Sequence, residues 1–402
     1  MILLLGIPVF CASPVRVYVG ALDEHSVTLA WGRADGKADN TIGYGAAGMP
    51  ATVRIAGKEH EAKRNWIRVE GLRPDTEYPY AVAAGGATIG SGVVRTWPEK
   101  SEELTFFVIG DFGTGKARQR ALAKRMEAER EARAGKGQPV RFVLTTGDNI
   151  YSGGARDADW ERKFFEPYRA TLAAIPFYAV LGNHDGNESE KGGDLPVYLD
   201  NFFFPGGAPA RWYSFRYGGL AEFFALDSTK NQWPGAKAAA YLEGGEQSQW
   251  LRGALRREPL PWRIAVLHHP LFTAGPSHGA ALEELRHWFG EWRQGGVSAV
   301  FAGHEHNLQF SERSEATGGM QFVVSGAGGR LRGGKVLKRM KAEHIAGWSA
   351  EPHFLVVEIG GGRMRITPIG ESPVTLRGPG GEVLPLPWVV GNGQGGKRQA
   401  GN

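Results

Sequence analysis

The sequence is nearly free of cysteine, with Cys11 alone among 402 residues. A lone cysteine cannot close an internal disulfide, so no cross-linked framework braces the fold. Long apolar runs are also missing. The nearest is residues 1–14, which is too short to span a bilayer as a helix and excludes stable membrane insertion. Its apolar centre and the small residues Cys11, Ala12 and Ser13 read instead as a secretory signal over 1–13, which predicts a secreted protein, periplasmic or extracellular. No basic tract interleaved with aromatics is present, so there is no nucleic-acid footprint. The net charge is a mild +5, an excess ordinary among soluble proteins and of the sign that steers anionic substrates by a long-range field. No internal repeat is evident, and nothing in the sequence identifies a protein partner.

What is abundant is glycine, 59 residues, which suits a loop-rich, sheet-based protein. Residues 14–98 contain short strands separated by turn signals, such as Val15–Gly20, Ser26–Trp31 and Gly92–Thr96. This pattern predicts a small all-β sandwich. The run Leu72-Arg73-Pro74-Asp75-Thr76-Glu77-Tyr78, with the earlier Trp31, resembles a fibronectin type III domain. Tyr78 or Tyr80 is expected to pack at a strand corner. A linker follows at Trp97–Lys100.

From residue 104 the pattern changes to near-continuous apolar runs, with helical segments between several of them. Such strands belong to sheets covered on both faces, and ligands gather at their carboxyl ends. The reading is an α/β sandwich over 104–370, with two sheets flanked by helices. Gln321–Ser325, His353–Ile359 and Met364–Ile369 are expected to complete the second sheet. A Gly- and Pro-rich tail over 371–402, disordered at its end, closes the chain.

Five of these runs end in a polar cluster. Leu104–Ile109 leads to Gly110-Asp111, and Arg141–Thr146 to Gly147-Asp148, with Tyr151 three residues on. Phe177–Leu181 leads to Gly182-Asn183-His184-Asp185. Arg263–Leu267 leads to His268-His269-Pro270, and Val297–Ala302 to Gly303-His304-Glu305-His306. Oxygen and imidazole donors without thiolate suit iron, zinc or manganese rather than a structural zinc site. A carboxylate can bridge two metals, and seven donors shared between two ions leave positions open for water and substrate. Each motif alone is weak, because Gly-Asp after a strand is common and Asn-His-Asp favours turns. The specificity lies in five such clusters following five strands.

This motif set resembles the calcineurin-like metallophosphoesterases, and the tyrosine after Asp148 narrows the resemblance to the purple acid phosphatases. Gly303-His304-Glu305-His306-Asn307 and Ser325-Gly326-Ala327-Gly328 resemble the tartrate-resistant branch, whereas an N-terminal sandwich is more typical of the larger plant-type enzymes. The resemblance implies a four-layer fold and a two-metal centre. Asp111, Tyr151 and His306 would hold Fe(III). Asn183, His268 and His304 would hold a divalent ion (Fe, Zn or Mn), and Asp148 would bridge. Counting from Val266 points to His269 as the fourth-motif ligand. Counting back from Pro270 points to His268, which matches the family's spacing to proline. His184 would sit over the substrate phosphate as hydrogen-bond or proton donor, with Asp185 orienting its ring. His278 resembles a second substrate-facing histidine. Glu305 is assigned no role, and His25, His60, His287, His344 and His353 lie outside the motifs.

The chemistry implied is hydrolysis of a phosphate monoester by metal-activated hydroxide, with no phosphoenzyme, since no activated Ser or Cys nucleophile is evident. A phosphodiesterase or nucleotide-cleaving enzyme on the same scaffold is the alternative. A surface binding protein with a relic metal site is the third reading, and the intact donor set argues against it. The basic run Arg330–Lys335 reads as a solvated loop or a phosphate-steering rim.

Overall fold

The computed structural model describes residues 15–33, 49–151, 157–185, 196–205, 210–229, 240–275, 277–278, 285–334 and 336–392. The expected signal and the end of the expected tail lie outside them. No helix among the described residues is long and apolar enough to cross a membrane.

The N-terminal part is all-β. Strands β1 (Val15–Leu22), β2 (Ser26–Arg33) and β5 (Trp66–Glu70) form one antiparallel sheet. Strands β3 (Ala51–Ile55), β4 (Lys58–Ala62), β6 (Glu77–Ala84) and β7 (Ala87–Arg95) form the other, in the order β4-β3-β6-β7. Period-2 alternation drives this layer: in β3, Ala51, Val53 and Ile55 are buried between less buried Thr52 and Arg54. Tyr78 does pack at a corner, its hydroxyl accepting the Arg73 N–H at 2.8 Å. Tyr80 instead reaches into the second domain and donates to the Ala173 carbonyl at 2.8 Å.

The second domain is built on two mixed sheets. One has six strands in the order β10-β9-β8-β18-β19-β20. They are β8 (Leu104–Ile109), β9 (Val140–Thr145), β10 (Phe177–Tyr178), β18 (Phe354–Gly360), β19 (Arg363–Ile369) and β20 (Trp388–Gly391). The other has seven in the order β11-β12-β13-β14-β16-β15-β17. They are β11 (Tyr213–Tyr217), β12 (Ala221–Ala225), β13 (Trp262–Val266), β14 (Ala299–Ala302), β15 (Leu308–Ser311), β16 (Gln321–Ser325) and β17 (Ile345–Ser349). Two expectations are corrected here. Gln321–Ser325 lies in the seven-stranded sheet, whereas of the two later strands β18 pairs with β8 and β19 with β18 in the six-stranded one. The ordered sheet also continues past residue 370, because β20 pairs with β19.

The sheets pack face to face through aromatic rings: Phe106 and Phe142 meet Phe223 at 5.4 and 5.3 Å between centroids. The seven-stranded sheet is buried on its outer face as well. Phe224, Ala265 and Val300 point away from the inter-sheet core and pack on Leu251, Trp288 and Trp292 of the helices Glu246–Leu255 and Arg286–Gln294. That double burial explains why these strands read as continuous apolar runs. The helix Ala117–Ala134 packs on the six-stranded side together with the helix Glu166–Leu172.

Candidate metal centre

Parallel pairing aligns the carboxyl ends of β8, β9 and β10 in one sheet and of β13 and β14 in the other. The loops that follow therefore meet along one edge of the sandwich. Asp111, Asp148 and His304 adopt positive φ angles of 56°, 52° and 71°. Asp and His tolerate this left-handed region better than most residues, and the tight reversal turns their side chains back over the strand ends. At Gly182 there is no room for a side chain, since a Cβ would run into Asp148 Oδ1.

The converging atoms fall into two neighbouring groups. Tyr151 Oη lies 3.0 Å from Asp111 Oδ1 and 3.2 Å from His306 Nε2, and His306 Nε2 lies 3.4 Å from Asp111 Oδ1. Asp111, Asp148 and His306 form one cluster with metal-ligand spacing. In the second group, His268 Nε2 lies 3.0 Å from Asn183 Oδ1, 3.2 Å from His304 Nδ1 and 3.5 Å from Asp148 Oδ1. Asp148 therefore stands between the two groups.

His268 Nδ1 is 2.8 Å from the Thr146 carbonyl, which can only accept, so the proton sits on Nδ1 and Nε2 presents a bare lone pair. That lone pair faces the Asn183 oxygen and the Asp148 carboxylate. Acceptors crowded together in a buried pocket repel unless a cation lies among them. His269 joins His268 and His304 in a second cluster with metal-ligand spacing, but its Nδ1 is turned to Ser228 Oγ at 2.9 Å. Both histidines thus bond through Nδ1, and His268 Nε2 is the nitrogen that faces Asn183 Oδ1 and Asp148 Oδ1.

Burial pushes the Asp111 and Asp148 carboxyls well above the usual range, and for Asp148 the neighbouring Asp111 adds to the rise. Burial pushes His268 down, and pushes His306 down to about 4 with help from Arg332. Tyr151 is raised well above its ordinary value by burial and by Asp111. A bound cation favours the charged carboxylate and phenolate forms and takes up the imidazole lone pairs. The donor set therefore fits metal ions.

Around this core, Asp185 ties two loops together. Its Oδ2 accepts from Gly182 N, Asn149 N and Asn149 Nδ2 at 2.8–3.1 Å, and its Oδ1 accepts from Ile150 N at 3.0 Å. It fixes the backbone on which His184 and Asn183 sit. The His184 ring lies 4.5 Å from the Tyr151 ring, and its N–H donates to Asp148 Oδ1 at 2.9 Å. His278 is at the site too, its ring 4.1 Å from that of His304.

Three participants were not assigned from the sequence. Glu305 Oε1 accepts the His278 N–H at 2.8 Å. Buried Lys163 donates to the Tyr151 carbonyl at 2.7 Å from a π-helical turn, Glu161–Phe165. Arg332 Nη1 lies 2.6 Å from His278 Nε2. The basic run on a glycine-rich segment was the available signal for Arg332; for Lys163 the sequence holds none.

Residues 104–308 match the family model for calcineurin-like phosphoesterases. The chain belongs to that family. Its relatives include purple acid phosphatases. Purple acid phosphatase 17 of Arabidopsis thaliana is 28% identical over 263 residues, covering 60% of this chain and 72% of that protein. Tartrate-resistant acid phosphatase type 5 of Rattus norvegicus is 26% identical over 306 residues, covering 68% of this chain and 88% of that protein. An uncharacterized Mycobacterium tuberculosis protein is 28% identical over 302 residues, 67% of this chain, which spans only 55% of that protein's length. The fold matches that of a purple acid phosphatase from yellow lupin seeds (Lupinus luteus), with a TM-score of 0.66 at 16% identity over 93% of this chain and 73% of the other.

Proposed function

We propose that this chain is a secreted phosphomonoesterase with two metal ions in the centre described above. Asp111, Tyr151 and His306 would hold Fe(III), Asn183, His268 and His304 a divalent ion (Fe, Zn or Mn), and Asp148 would bridge. The observation that carries this reading is the position of Asp148 between two donor groups delivered by five strand ends. When bound, such a pair clamps and neutralises a phosphate and acidifies water to make the nucleophile.

The protein's own groups supply the rest. His268 is fixed in the tautomer that offers Nε2 by its bond to the Thr146 carbonyl. His184, held beside Asp148 through its own N–H, is placed to protonate the departing alkoxide. Asp185 keeps the two loops carrying Asp148 and His184 in register. The β-sandwich braces the catalytic domain, and its fibronectin type III character belongs to this same reading. Phosphate-ester small molecules are the substrates, and the sequence gives no reason to expect nucleic acid.

The test compares hydrolysis of p-nitrophenyl phosphate and bis(p-nitrophenyl) phosphate by metal-loaded protein and by Asp148→Asn. The monoester should be hydrolysed faster, and kcat should fall by more than about 100-fold in the variant. Faster cleavage of the diester would favour a phosphodiesterase. No hydrolysis of either would favour a binding protein.

A further inference from the structure

The loop after β14 alternates in what its side chains do. His304 and His306 belong to the two donor groups of the metal centre, whereas Glu305, Asn307 and Gln309 are fully buried and tie this loop to the chain leaving His268. Gln309 Oε1 accepts the Ala274 N–H at 2.8 Å, and its Nε2 donates to Thr273 Oγ1 at 2.9 Å and to Asn307 Oδ1 at 2.8 Å. Glu305 Oε1 accepts the His278 N–H at 2.8 Å. Its carboxylate fits because residue 275 is glycine, where a Cβ would run into it.

An acid at this position carries a penalty. Among the described residues, Glu305 Oε2 has no hydrogen-bond partner, and a buried carboxylate with an unpaired oxygen is costly. An apolar side chain of the same length would fill the space without that penalty. What the carboxylate adds is a charge-assisted acceptor for the His278 N–H. His278 in turn stands against the metal loop, its ring 4.1 Å from that of His304 and 6.4 Å from that of His306. Arg332 Nη1 lies 2.6 Å from His278 Nε2. A guanidinium can only donate, so Nε2 accepts and the ring's own proton sits on Nδ1. His278 therefore brings an N–H donor to the rim of the centre, and Glu305 ties its backbone to the loop of His304 and His306.

We propose that Glu305 is a positioning residue, which acts through His278 to strengthen binding of a phosphate oxyanion at the metal centre. It holds the ring against the ligand loop, so the Nδ1–H meets the bound oxyanion with little rearrangement. Glu305 itself touches neither metal nor phosphate. This rests on the phosphoesterase reading above.

Calorimetric titration of the metal-loaded protein with inorganic phosphate tests this, with metal content per chain measured on the same samples. Glu305→Met fills the space but cannot accept, and it should weaken phosphate binding by ~10-fold at unchanged metal content. Glu305→Gln keeps an acceptor of the same reach and should stay within about 3-fold of wild type. His278→Ala should weaken binding at least as much as Glu305→Met. The double variant should bind as His278→Ala does, because Glu305 has nothing left to position. Matching thermal unfolding curves show that the variants are folded. Wild-type affinity in Glu305→Met, loss of metal from it, an equal loss in Glu305→Gln, or a double variant that loses both factors overturns the proposal. Failure of the phosphoesterase reading is seen separately, as absence of p-nitrophenyl phosphate hydrolysis by metal-loaded wild type.

Discussion

At the residue scale, the centre concentrates backbone and electrostatic cost. Three of the six non-glycine residues with positive φ among the described ones are proposed metal ligands, Asp111, Asp148 and His304. Such conformations persist where surrounding structure determines them, and they cluster at functional sites. The carboxyls add a pH signature. With folded values raised from 3.8 to about 7 by burial, Asp111 and Asp148 hold protons more tightly folded than unfolded. Their contribution to the metal-free protein is full below about pH 4 and is lost as pH rises toward 7. His306, pushed down to about 4, acts oppositely: its contribution is present above pH 6.5 and lost as pH falls toward 4. The difference between wild type and Asp148→Asn isolates the carboxylate. In chelator, the variant's Tm should gain on wild type as pH rises from 4 to 7. Parallel curves would contradict the burial argument.

The residues proposed as ligands could be singled out in the sequence because metal chemistry demands particular donor types, and parallel strands bring their ends together. Arg332 was not singled out from its basic run, because its meaning lies in a contact with His278, 54 positions away. Asp185 was expected behind the His184 ring, and its hydrogen bonds run to loop amides, a difference that spacing cannot express.

At the scale of elements, the strand ends needed for the site were legible, but the partition of the later strands between sheets was not. Gln321–Ser325 and Phe354–Gly360 are both buried apolar strands. Nothing local distinguishes a partner in β14 from one in β8; chain topology decides. The π-helical turn Glu161–Phe165 was likewise invisible, although it carries Lys163 to the Tyr151 carbonyl. Lys163 Nζ also lies 3.4 Å from Asp159 Oδ1. Replacing it by Met leaves the buried carbonyl without its donor and loosens the loop that presents Tyr151. Lys163→Met should lose metal to a chelator about 10-fold faster than wild type, measured by metal content against dialysis time. Equal rates would show that the loop is held by other contacts.

At the scale of the whole molecule, the sandwich is fused to the catalytic domain by buried contacts. Trp97, 2% exposed, packs on Phe142, Tyr178, Phe215 and Tyr217 with ring centroids 5.4–6.1 Å away. Tyr178 Oη donates to the Leu22 carbonyl at 3.0 Å, and Arg16 lies over the Phe165 ring. The linker expected at residues 97–100 is thus in part core. The two domains should unfold in one calorimetric transition, and Trp97→Ala should cost about 3–5 kcal/mol. Two separate transitions in wild type would contradict this coupling.

The most direct test of the central claim is metal content per chain, measured by elemental analysis on wild type and Asp148→Asn alongside p-nitrophenyl phosphate hydrolysis. About two metals per active wild-type chain are expected, with loss of metal and hydrolysis together in the variant. Full hydrolysis by protein carrying no metal, or by the Asp148→Asn protein, would contradict it.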